Sequence, residues 1–258
     1  MADTVQGIIL RQTKTAAGGR RMLEIFTDRY GKVSASSFPE RKGKKRTDLA
    51  IRPFTLGEYS FLTGRESFRI ERAEAVRSFY GIGEEPDRFL ASSFVLELTD
   101  RTFPENEPSR EAFELLRDFL TVIEHRKRGF LTPVLAYEIH LLAVLGIFPV
   151  MDRCAACGKP LRPENCSGFG IREGGMLCGD CLRKIQESTG AQLIYNADFG
   201  IITAIEYFAG HPMKAFQTLA LERTKAKNIQ KAVREYFAYY LEIGALRSDS
   251  ALRNLENV

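Results

Sequence analysis

The sequence predicts an α+β multidomain protein: an N-terminal five-stranded barrel, a C-terminal α-helical domain, and a small four-cysteine ribbon inserted into that domain. Three observations lead there. Through the first 80 residues apolar side chains alternate with polar ones, and from Glu85 onward they recur at intervals of three and four. Between helical stretches, two Cys-x-x-Cys knuckles, Cys154/Cys157 and Cys178/Cys181, are separated by twenty residues. The parts are expected at residues 1–80 for the barrel, 81–150 and 190–258 for the helical domain, and 151–189 for the ribbon.

Thr4 to Arg11 is a β-branched and aliphatic run, followed by Arg21 to Thr27. Asp28-Arg-Tyr-Gly31 then makes a turn into Lys32 to Phe38, where Val33 and Ala35 alternate with polar neighbours, so three strands form a meander. Thr55 to Thr63 places Tyr59 and Phe61 on one face, and after a turn at Gly64, Ser67 to Ala75 does the same with Phe68 and Ile70. Five short strands in about 75 residues match the OB-fold, a barrel whose open face and loops bind oligonucleotides.

Pro86 to Leu98 and Ser109 to His125 carry amphipathic helical spacing. Thr132 reads as an N-cap with Pro133 at the first helical position, and the run Val134 to Leu145 stops at Gly146; a helix so apolar all round belongs at the centre of its domain. Beyond the ribbon, residues 198–209 and 213–222 are expected as short helices around His211-Pro212, with Lys225 to Ile243 the last long one. His125, His140 and His211 sit in different elements, none at ligand spacing from a Cys or carboxylate, and read as structural.

Each knuckle folds so that both its sulfurs point at one ion, and the intervening chain returns the second pair to complete a tetrahedral zinc shell. Pro160, Pro163, Gly168, Gly170 and the Glu173-Gly174-Gly175 turn punctuate that return, with Phe169, Ile171, Met176 and Leu177 as strand material. Disulfides need an oxidising compartment, and a thioredoxin-like motif explains one pair, not two. Four thiolates leave no open position for water, so the ion is structural. Cys166 lies outside both knuckles and reads as a small buried or hairpin residue.

No run of eighteen apolar residues occurs, and Met1-Ala-Asp-Thr-Val-Gln6 lacks the features of a signal peptide, so a cytoplasmic location is expected. The net charge of +4 hides an asymmetry. Residues 1–80 hold sixteen Lys and Arg against nine Asp and Glu, or +7, and the remainder carries −3. A basic domain on a mildly acidic protein points to a polyanion, above all nucleic acid. The expected contacts are Arg11, Arg20, Arg21 and Lys32 on the barrel and Arg41, Lys42, Lys44, Lys45 and Arg46 in the loop before the fourth strand. The basic residues Lys225, Lys227, Lys231 and Arg234 of the last helix are the next candidates. Phosphate-loop, Gly-x-Ser-x-Gly and zinc-deaminase signatures are missing, so no enzyme is expected.

The order of parts resembles the RecO family of bacterial recombination mediators. Gly7-Ile-Ile-Leu-Arg11 is similar to the family's opening strand, Thr27-Asp-Arg-Tyr-Gly-Lys32 to its second turn and Pro53-Phe54 to its lead into the fourth strand. Met151-Asp-Arg-Cys-Ala-Ala-Cys-Gly158 and Gly174-Gly-Met-Leu-Cys-Gly-Asp-Cys181 resemble its zinc knuckles, and Arg247-Ser-Asp-Ser-Ala-Leu252 its closing segment. The loop Ser36-Ser-Phe-Pro-Glu-Arg-Lys-Gly-Lys-Lys-Arg46 departs from the shorter family pattern. The resemblance implies a bacterial, nucleoid-associated protein that binds single- and double-stranded DNA and anneals complementary strands. It implies that, with RecR, the protein loads RecA onto SSB-coated single strands and contacts the C-terminal tail of SSB. On the last helix Tyr236, Phe237, Tyr239 and Tyr240 are either core or a docking face for such a tail. An RNA- or transcription-machinery-binding factor built of the same parts, and a zinc hydrolase, are the alternatives.

Overall fold

A computed structural model describes residues 4–14, 21–37, 49–63, 68–189, 193–196 and 199–255. The chain divides into two compact units, 1–130 with 245–258, and 131–244. By this division the helices of 86–123 group with the barrel, and the ribbon groups with the later helices.

In the first unit, β1 (Val5–Lys14), β2 (Arg21–Thr27), β3 (Gly31–Ser37), β4 (Thr55–Thr63) and β5 (Phe68–Ser78) close into a barrel of order β1-β2-β3-β5-β4. β4 pairs back onto β1 antiparallel, and β3 meets β5 in a short parallel pairing. Ile9, Leu23, Ile25, Val33, Ala35 and Tyr59 fill the inside. Tyr59 is fully buried with its hydroxyl donating to the Ala50 carbonyl, so it is core and no base-stacking residue. Phe26, one residue on from Ile25, points the other way and is also fully buried, its ring 5.0 Å from Phe103 and 6.4 Å from Phe113. Both faces of β1 and β2 are covered, which accounts for the unbroken apolar run Ile8-Ile-Leu10.

The outer cover consists of α1 (Pro86–Thr102) and α2 (Arg110–Ile123). Glu85 caps α1 by accepting from the Arg88 amide at 2.8 Å with Pro86 next in line, and Ser109 caps α2. The Arg88 guanidinium donates to the carbonyls of Gly81, Arg126 and Glu124 at 2.7, 2.7 and 3.0 Å, so one planar fork closes three loop carbonyls at once. The basic segment after α2 is partly internal: Arg126 is buried and donates to the Gly129 carbonyl at 2.9 Å.

The turn between β2 and β3 requires glycine at position 31. Its φ is +66°, and a Cβ there would lie 2.0 Å from the Glu107 carbonyl oxygen. Gly31→Ala is therefore expected to cost more than the ~1–3 kcal/mol of a non-glycine residue held in the left-handed region, read as a lower urea midpoint.

Residues 245–258 return to this unit through a short C-terminal helix, α7 (Asp249–Asn254). The Glu97 carboxylate of α1 accepts the Arg247 and Ser248 amides at 2.9 Å each and the Ser248 hydroxyl at 2.6 Å. Burial alone would raise this carboxyl, but the three donors outweigh it and hold it below its ordinary 4.5. A lowered carboxylate stabilises fully above its unfolded value and loses that contribution as pH falls through the folded one. Protection of the Arg247 and Ser248 amides against exchange, taken relative to the intrinsic rate at each pH, should fall on acidification below about 4.5, and Glu97→Gln should remove that pH dependence of protection.

The second unit is built on α3 (Leu131–Val144), buried at every position from Leu131 to Ile139. Here the structure corrects the sequence reading: the helix starts at Leu131, so Thr132 is no cap, and its hydroxyl accepts the Leu221 amide at 3.0 Å instead. The ribbon comprises β6 (Gly168–Gly170), β7 (Gly175–Leu177) and β8 (Ile194–Asn196) in the order β7-β6-β8, with α4 (Gly179–Thr189) between the last two. α5 (Phe199–Gly210) and α6 (Arg223–Leu241) pack on α3. Residues 213–222 form a single 3-10 turn at Met213–Phe216, not the expected helix. The three histidines make other contacts: His140 Nε2 meets the His211 carbonyl at 2.9 Å, His211 Nδ1 the Tyr207 carbonyl at 2.8 Å, and His125 is exposed next to Glu124. No helix among the described residues is long and apolar enough to cross a membrane.

Candidate metal centre and nucleic-acid face

The first knuckle is a tight turn: the Gly158 amide donates to the Cys154 carbonyl at 2.8 Å and the Cys154 amide to Lys159 at 2.7 Å. It is stitched to β7 by the Ala155 amide, which donates to the Met176 carbonyl at 2.8 Å. The second knuckle spans the end of β7 and the first turn of α4, where helix amides and the helix dipole favour negative sulfur. The Sγ atoms of Cys154, Cys157, Cys178 and Cys181 all lie within 4.8 Å of one another.

Cys157 and Cys178 are 3.9 Å apart, sulfur to sulfur. A tetrahedral ion with ~2.3 Å bonds to sulfur has edges of about 3.8 Å, so the four sulfurs fit such an ion. Burial would raise the Cys154 thiol, yet the amides of Cys178, Cys157 and Ala156 and the Cys157 thiol outweigh it and bring it down to about 6. Cys181, desolvated and facing the other three sulfurs, is pushed up to about 12. Four sulfurs this close cannot all be charged without a cation among them. Cys166 stands apart, its thiol donating to the Gly168 carbonyl at 3.0 Å, and burial raises it. The cluster can hold one metal ion.

Of the nine expected nucleic-acid contacts, Arg11, Arg21 and Lys32 fall within the described residues; Arg20, Arg41, Lys42, Lys44, Lys45 and Arg46 lie outside them. Arg11 is about half exposed and sits 3.6 Å from Glu24 and 3.3 Å from Asp100. Lys32 is 14% exposed, 3.3 Å from the Asp100 carboxylate, and also donates to the Asp100 carbonyl. Arg21 is half-buried at the end of β2, opposite Lys14 of β1. The barrel thus brings Arg11 and Lys32 to one acidic partner, Asp100 of α1, while Arg21 stands at the far end of the hairpin. Glu24 joins this group, raised by burial first and then by the repulsion of Asp100. Nothing local in the sequence ties Asp100 to Lys32, 68 positions away.

Two family models cover the chain: Recombination protein O N terminal over residues 1–79 and Recombination protein O C terminal over residues 83–250. The chain belongs to the RecO family. A protein of Thermoanaerobacter sp. (strain X514) named DNA repair protein RecO is 25% identical over 238 residues, 92% of each chain. The protein of that name from Listeria innocua is 24% identical over 256 residues, covering 98% of this chain and 95% of the relative. That from Syntrophus aciditrophicus is 31% identical over 180 residues, 68% of each. The RecO likeness therefore spans barrel, helices and ribbon together, and the two RecO models part between residues 79 and 83, where β5 gives way to the helices.

Proposed function

We infer that this RecO-family chain is a non-enzymatic, cytoplasmic DNA repair and recombination mediator. It binds single- and double-stranded DNA, anneals complementary strands and, with RecR, helps load RecA onto single strands coated by SSB. The observation that carries this reading is the match to both RecO models over nearly the whole chain, including an OB-fold barrel that concentrates the positive charge. DNA contact is proposed at Arg11, Arg20, Arg21, Lys32, Arg41, Lys42, Lys44, Lys45 and Arg46, mostly to phosphates. The metal is proposed to be one structural zinc, because four sulfurs close its shell. For the acidic, apolar SSB tail the proposed dock is α6, where Tyr239 and Tyr240 remain exposed while Tyr236 and Phe237 are core.

The test is a strand-annealing assay with and without SSB. Acceleration of annealing of SSB-coated complementary strands supports the reading. Absence of annealing together with tighter binding to RNA than to DNA would favour an RNA-binding factor of the same architecture.

A further inference from the structure

A cleft of about 450 Å³ opens between the barrel and α1. Three local features build it. The register of β1 against β2 slips between Ile9 and Arg11, and this bulge turns Leu10 and Arg11 toward α1. At the lead into β4, Phe54 holds a φ of +60°, a left-handed conformation that bulky residues avoid, and its carbonyl is pinned by the Phe79 amide at 3.0 Å. The Phe54 ring meets Phe89 of α1 edge to face, with centroids 5.6 Å apart at 79°, and Phe89 is left 47% exposed.

The charges around this aromatic floor do not cancel. Asp100 is occupied by Lys32 and Arg11, and Glu97 by three donors from the returning tail. That same clamp sets Arg247 on the rim of the cleft, near Arg101 one turn beyond Glu97 on α1. Among the described residues neither guanidinium has a carboxylate within ion-pair distance; Glu97 meets Arg247 through the backbone amide. The cleft thus offers an exposed aromatic face beside two guanidinium groups that form no ion pair among the described residues, the Arg247 charge reaching Glu97 only at longer range, and its volume suits one nucleotide.

We propose that this cleft binds a single unstacked nucleotide of a DNA strand, its base against Phe89 and Phe54 and its phosphates on Arg101 and Arg247. A flat aromatic floor takes any base, and planar guanidinium forks suit phosphate, so the site is sequence-tolerant. The strain at Phe54 has a purpose here, since it holds a ring at the cleft that a relaxed backbone would turn elsewhere. The inference rests on the nucleic-acid reading above and adds a base-dependent site to its phosphate contacts.

The experiment compares an oligothymidine strand with an abasic strand of equal length and charge, using the full chain and fluorescence anisotropy. Wild type should bind oligothymidine about tenfold more tightly than the abasic strand. Phe89→Ala should bring that ratio near one, and Phe89→Tyr should restore it. Arg101→Glu with Arg247→Glu should weaken both strands and lower the salt slope by about 0.7 for each phosphate set free. Circular dichroism melts of each variant show that the fold is kept, Phe89 being a half-exposed side chain. If Phe89→Ala binds DNA with the wild-type ratio, the proposal falls and the phosphate-based reading stands. If wild type binds neither strand, the nucleic-acid reading itself fails. If an acidic peptide bearing one aromatic side chain binds wild type but not Phe89→Ala, and the oligonucleotide ratio is unmoved, the cleft serves a protein partner and the proposal is overturned.

Discussion

Cys178→Ser should release the bound metal and unfold the ribbon at a temperature where wild type is intact. Cys178 is buried, its amide donates to the Cys154 sulfur at 3.4 Å, and its own sulfur lies 3.9 Å from that of Cys157, so its loss breaks the shell and its wiring together. Structural zinc contributes about 10–16 kcal/mol of apparent binding free energy in finger peptides. Loss of a ligand should reduce affinity by more than the ~10–100-fold typical of outer-shell changes. The measurement is metal content by elemental analysis beside a thermal melt. Wild type should carry one zinc per chain and the variant less. Acidification should release the ion from wild type too, because protons compete for the sulfurs. A reduced, chelator-free wild-type protein without metal would sink the assignment. Cys166→Ser provides the contrast and should leave metal content unchanged, its sulfur being bonded to the Gly168 carbonyl.

Charge reversal of Lys42, Lys44, Lys45 and Arg46 together should lower affinity for single-stranded DNA by roughly two to three orders of magnitude near 0.1 M salt. Each phosphate no longer neutralised removes about 0.7 from the slope of log affinity against log salt, so the variant should bind more weakly and respond less to salt. Charge reversal at Lys32 should instead lower stability, read in a thermal melt, because it would set a second carboxylate against Asp100 where the ammonium is now mostly buried. An unchanged slope in the four-residue variant would move the phosphate contacts elsewhere. The exposed Lys225 and Lys231 of α6 would then be tried first.

Most of the architecture is legible in the sequence because most of it is periodic. The strand spans 21–27 and 55–63 are found as expected, and α6 differs by two residues at each end. The four cysteines are legible because metal geometry imposes a spacing on the chain. What escaped has no local signature. β8 is three residues long, too short to show alternation, and exists through its pairing with β6, more than twenty positions earlier. Thr132 carries every mark of an N-cap, but a distant amide at Leu221 claims its hydroxyl. Arg11 and Lys32 read as free cations until α1 brings Asp100 to them, and the Phe54–Phe89 floor joins a strand lead-in to a helix with no shared pattern.

The division of the first unit into 1–130 and 245–258 has a consequence for how the protein is made. A ribosome delivers the barrel and its helices early, but the segment that fills the three acceptor positions of Glu97 emerges only after the whole second unit has been synthesised. At ~5–20 residues per second that delay is on the order of ten seconds. Throughout it, the Glu97 carboxylate and the apolar seat of Leu246 and Leu252 face solvent without their partners. The second unit, contiguous in sequence, has no such wait. A released chain truncated after residue 244 should therefore carry a folded second unit, given zinc, beside a first unit still open to protease at α1.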